Sequence, residues 1–111
     1  MTVREIQKAL SLSIVCSGQT LDIEIDGGYA SDMLSCVMAG AQQGNIWVTL
    51  LTHLNVIAVA VLLEIPAIII TENAPLAPEA LAKAEDEGIV ILQASEDTYT
   101  IVGKLYALGV K

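Results

Sequence analysis

Ile46-Trp47-Val48-Thr49-Leu50, then Thr52-His53-Leu54-Asn55, then Val56 to Leu63, then Ala67-Ile68-Ile69-Ile70: this stretch decides the fold. Its two ends are short, continuously apolar and rich in β-branched residues, as strands buried on both faces are. Leu54 to Glu64 between them is an apolar segment of helical length, closed by Pro66. The pattern predicts a βαβ unit whose strands sit side by side in the middle of a parallel sheet, joined by a right-handed crossover. Ile69 then belongs to the core. Polar residues gather at one place, the turn from first strand into helix, where Thr49, Thr52, His53 and Asn55 follow one another. Open parallel sheets bind ligands beyond the carboxyl ends of their strands, and this turn lies there.

Downstream, Thr71-Glu72-Asn73 with Pro75 and Pro78 predicts a loop. Pro78 suits the first turn of a helix to Glu87, where its missing amide costs nothing, and Gly88 stops that helix. Ile89-Val90-Ile91-Leu92 is a third parallel strand, and Ser95 caps a last helix from Glu96 to Leu108. Upstream, Thr2-Val3-Arg4-Glu5 has capping-box spacing and starts a helix reaching about Leu10. Ile14-Val15-Cys16 is a short strand. Leu21-Asp22-Ile23-Glu24-Ile25 alternates apolar and polar, the period of a half-exposed strand near a sheet edge. The Gly27-Gly28 pair closes it, which implies positive φ angles, a bulge or a close approach. Ser31 caps a helix from Asp32 to about Ala39. The expectation is one three-layer α/β domain over residues 1-111, with a mainly parallel central sheet built from βαβ units. The loops after Leu50, Ile70 and Leu92 share one rim, where any pocket is expected.

Composition narrows the function. Apolar residues make up 54% of the 111 and the net charge is -8, from five Lys or Arg against thirteen Asp or Glu. That balance argues against nucleic acid as a partner, since phosphate contacts need clustered cations. His53, Asn55, Glu64 and Pro66 interrupt the one stretch long enough to span a membrane. With no basic-then-apolar leader at the start, a cytoplasmic protein is expected. So much apolar sequence in a small domain predicts surface for a partner, first of all a second copy. Cys16 and Cys36 lack CxxC spacing and are read as buried hydrophobes. The sequence Gly103-Lys104-Leu105 fails the P-loop pattern, and Glu85-Asp86-Glu87 reads as a solvated helix end. No cofactor or metal is expected.

Candidate ligand-binding residues are Gly27, Gly28, Thr49, Thr52, His53, Asn55 and Thr71. Thr52, His53 and Asn55 put donors at a helix N-terminus, where free amides and the helix dipole favour a small anionic or nucleotide-like ligand.

Leu21 to Asp32, followed by Gly44 to Thr49, Thr52-His53-Leu54-Asn55 and Ala58-Val59-Ala60, resembles the DRTGG domain family. The family's signature falls on Asp22, Gly27 and Gly28. Ile23 stands where the family name has Arg and Asp26 where it has Thr, which argues against phosphate at that strand. The resemblance implies a fold like the N-terminal domain of HPr kinase/phosphorylase. It also implies a non-catalytic module that senses a ligand, or helps a regulated enzyme such as a CBS-domain pyrophosphatase to dimerise. Two alternatives stand beside this: a small enzyme using the Thr52-His53-Asn55 turn, and a pure protein-protein adaptor.

Overall fold

Alternation along three short strands sets the architecture. In β3 (Ile46–Thr49), β4 (Ala67–Ile70) and β5 (Val90–Gln93), every residue but Gln93 is buried. Successive side chains point to opposite faces, as the strand period requires. Ile46, Val48, Ala67, Ile69, Val90 and Leu92 enter one core, while Trp47, Ile68, Ile70 and Ile91 enter another. A computed structural model describes all 111 residues. It has a five-stranded sheet in the order β1-β5-β4-β3-β2, where β1 is Ser13–Ser17 and β2 is Gly28–Ala30. β2 to β5 are mutually parallel, and β1 runs antiparallel to β5 on the outside.

Helices cover both faces. α2 (Leu34–Gly40), α3 (Leu54–Leu62) and α4 (Pro78–Glu87) supply the crossovers between β2 and β5 and share one core with Trp47. α1 (Val3–Ala9) and α5 (Thr98–Ala107) lie on the other face, with Ile6, Ile101 and Leu105 in its core. The βαβ unit, its central position and Ile69 in the core stand as expected, as does α4 between Pro78 and the left-handed Gly88.

Three expectations change. Leu21 to Ile25 is not a sheet strand: it runs extended along the start of α1, which needs partners for its free amides. Val3 N donates to the Ile23 carbonyl at 2.9 Å and Arg4 N to the Leu21 carbonyl at 2.8 Å. Leu21 and Ile25 are buried in that contact while Asp22 and Glu24 face out, so one-sided burial gave the alternation without a sheet. The sheet strand comes later, and the glycine pair opens it rather than closing its predecessor: Gly27 turns at φ 79° and Gly28 begins β2. Last, α2 and α5 start later than predicted. Ser31 and Asp32 bond outside α2, and Asp97, not Ser95, caps α5 by accepting from Thr100 N at 2.8 Å. Cys36 is exposed, whereas Cys16 is buried.

Candidate functional site

The rim at the carboxyl ends of β3, β4 and β5 holds most of the residues singled out from the sequence, and its interior is already bonded. Thr49 is fully buried and donates its hydroxyl to Asp32 Oδ1 at 2.8 Å. Leu50 N donates to the same oxygen at 2.8 Å, and Leu51 N to Thr49 Oγ1 at 3.1 Å. Thr71 is equally buried, its hydroxyl 2.8 Å from that of Thr98. Glu72 and Asn73 both have positive φ and are held there by donation to the Glu96 and Ala94 carbonyls. These groups clasp the loops together.

Three side chains on the rim remain free. Thr52 is half-buried and gives its carbonyl to Ala77 N at 3.0 Å. His53 occupies the N-cap position of α3 without a side-chain capping bond, and it and Asn55 are exposed. Asp32 already places a carboxylate on this turn, which opposes a second anion. Asp32 could not be seen as a site residue in the sequence, because its partners lie 17 and 18 positions away.

Gly27 and Gly28 do not join the rim. The register Gly28 to Ile46 and Ala30 to Val48 puts them at the starting ends of the parallel strands. At about 3.3 Å per residue, Thr49 lies about 10 Å further along. A Cβ on Gly27 would come within 3.0 Å of the Lys111 carbonyl oxygen, so the close approach there is by the chain itself.

The cavity is elsewhere. The structure contains a single pocket, of about 170 Å³, over β2 and beside α5. Gly28, Ala30 and Val48 of the sheet line it, with Val102, Leu105 and Tyr106 of α5 and with Lys111, whose Nζ lies 5.0 Å from the Tyr106 ring centroid. Three helices cover one face of the sheet and only two the other. On the two-helix face, Gly28 and Ala30 of the edge strand β2 stay exposed beside α5. Among the candidates only Gly28 lines it. The only signal that could have found the rest was aromatic: the sequence is 4% aromatic, and two of its three tyrosines, Tyr29 and Tyr106, line this pocket.

Of the groups with shifted acid-base behaviour, Asp22 and Glu5 lie away from both places, while Glu96 and Asp97 border the rim beside Thr98. The Arg4 guanidinium, 2.7 Å from Asp22 Oδ1, holds that carboxyl below its usual range. Bonds from Thr2 do the same for Glu5, and bonds from Thr100 for Asp97. No group of three His, Cys, Asp or Glu side chains is arranged to hold a metal ion, and every buried side-chain N or O has a partner. No helix is long and apolar enough to cross a membrane.

Fold and site together define a mainly parallel α/β domain with a bonded rim and one small apolar pocket. The chain belongs to the DRTGG domain family, whose model matches residues 5–108. No curated protein sequence matches it. A similar solved structure contains the CBS and DRTGG domains of the regulatory region of Clostridium perfringens pyrophosphatase, complexed with its activator diadenosine tetraphosphate. The TM-score is 0.78 at 14% identity, covering 94% of this chain and 45% of that one. This chain therefore spans less than half of that structure's length.

Proposed function

We propose that this chain is a regulatory module without chemistry of its own, which takes the flat end of a nucleotide-like ligand in the β2–α5 pocket and works as a homodimer. The observation that carries the reading is family membership over residues 5–108, in a fold shared with a regulatory region that was solved with a dinucleotide activator. Ligand pockets are usually about 300 Å³ or more, so a cavity of about 170 Å³ has room for one base-sized group and not for a whole nucleotide. Its lining is mainly apolar, and Lys111, held over the Tyr106 ring, supplies the one cation there for a phosphate. Against an enzyme, no side chain hydrogen-bonds the exposed His53 ring to orient it as a base, and the hydroxyl of Thr49 is engaged by Asp32.

Thermal melts with adenine mononucleotides and diadenosine tetraphosphate test this. A ligand at a hundred times its dissociation constant stabilises by about 2.7 kcal/mol, a shift of several degrees. Ala30→Leu, which enlarges an exposed lining side chain, is expected to abolish the shift, and His53→Ala to leave it intact. The nucleotide should be recovered unchanged. No shift with any of them overturns the ligand reading, and turnover lost in His53→Ala would replace the module by an enzyme.

A further inference from the structure

We infer that the outer face of α3 is a two-fold interface on which a second copy lays its own α3, antiparallel, with Ala58 at the axis. This rests on the homodimer reading above and names its surface. α3 has one polar residue, Asn55, among nine. Val56, Ile57, Val59 and Ala60 are buried against the sheet. The opposite side is apolar apart from Asn55: Leu54 is 44% exposed, Val61 37% and Leu62 66%, with Ala58 exposed among them. A helix that is apolar all round is expected inside a protein, not on its surface.

Charge selects the occupant. From Met33 to Leu63 the sequence has no Asp, Glu, Lys or Arg, in a chain whose net charge is -8. α2 and α3 therefore form an uncharged surface on an otherwise acidic molecule. Two copies of such a chain repel each other least over this face. The α5 side, by contrast, carries Lys104, Lys111 and Glu96 beside its exposed tyrosines.

Spacing supplies the geometry. A two-fold interface is self-complementary: if residue i meets j, then j meets i. Leu54 and Leu62 stand four positions either side of Ala58, on one i±4 row. Crossing two such rows at Ala58 puts each Leu54 against the other copy's Leu62, and the small side chain lets the helices close to about 8 Å. One nine-residue helix covers less than the roughly 800 Å² per partner of a stable interface. Met38 of the adjacent α2 and Met33 at its N-cap, both more than half exposed, extend it with flexible apolar side chains.

Sedimentation equilibrium of the full chain should give twice the 11.7 kDa chain mass. Ala58→Glu sets two carboxylates together on the axis and should weaken association roughly a hundredfold or more. Tyr106→Glu, on α5, should leave the dimer intact. Ala58→Cys, made with Cys36→Ser to remove the exposed thiol, should form a covalent dimer on mild oxidation, since a residue on the axis meets its own copy. The cross-link decides the question if Ala58→Glu fails to fold. A wild-type monomer overturns both this surface and the homodimer reading. A dimer that survives Ala58→Glu, or that is lost in Tyr106→Glu, overturns the surface alone.

Discussion

α3 and α4 lie side by side on the same face of the same sheet, and they treat the outside in opposite ways. α4 follows the surface pattern: Ala80 and Ala84 are buried, while Glu79, Glu85, Asp86 and Glu87 face solvent and Lys83 pairs with Glu87 at 3.1 Å. α3 buries four residues inward and presents Leu54, Ala58, Val61 and Leu62 outward. Both helices meet the same requirement on the sheet side, so the fold cannot be what makes their outer faces differ. The difference is in what each outer face is made of: α4 is charged and suited to water, whereas α3 is mostly apolar, as the interface inferred above requires. Their ends differ too. α4 stops at Gly88 with φ 72°, where glycine adopts the left-handed conformation without strain. After α3 the same conformation falls on Glu64, φ 58°, whose carbonyl accepts from Gly44 N at 3.1 Å.

The largest effect should come from the side on which the two helices agree. Ile57 is fully buried on the inner face of α3, and Ile57→Ala should cost about 2 to 5 kcal/mol in urea denaturation. A loss below about 0.5 kcal/mol, typical of a surface site, would mean that α3 does not pack on the sheet as described. Because dimers are stabilised by mass action, wild type and variant must be compared at one protein concentration.

How far the sequence could be read follows from the range of each signal. β3, α3, β4 and α4 were legible because strand composition, Pro78 and Gly88 act within a few residues, and so was the Thr2–Glu5 capping box. Leu21 to Ile25 misled because alternation reports one-sided burial and not the identity of the partner, here the start of α1. Thr49 and Thr71 lie on one rim because each sits at or just past the carboxyl end of a local strand. That Asp32 and Thr98 occupy their hydroxyls is a contact between distant segments, with no local trace. The pocket is more remote still, because its walls come from Gly28 to Ala30 and from Val102 to Lys111, which meet only in the folded chain.

The helix ends should give the middle-sized effect, with opposite signs. Gly88→Ala forces a left-handed alanine and brings its Cβ within 2.9 Å of Gln19 Cγ, so a loss of about 1 to 2 kcal/mol is expected. Glu64→Gly removes the same kind of strain after α3 and should stabilise by up to about 1 kcal/mol, after the entropy glycine adds to the unfolded chain. Equal and unfavourable changes at both sites would show that the two C-termini are not equivalent. Thermal melts at matched concentration separate these outcomes.

The smallest effect should be on the charged outer face of α4, and its smallness is the point. Lys83 and Glu87 are four positions apart but with the cation nearer the N-terminus, the less favourable order for the helix dipole, and both are partly in solvent. Exposed pairs of this kind contribute about 0.2 to 1 kcal/mol, and screening by salt reduces that further. Lys83→Met should therefore change unfolding free energy by less than about 0.5 kcal/mol, and raising the salt concentration should narrow even that gap. A loss above about 1 kcal/mol that persists in high salt would mean that the charges of α4 hold the fold. The contrast with α3 would then concern stability rather than what each helix faces.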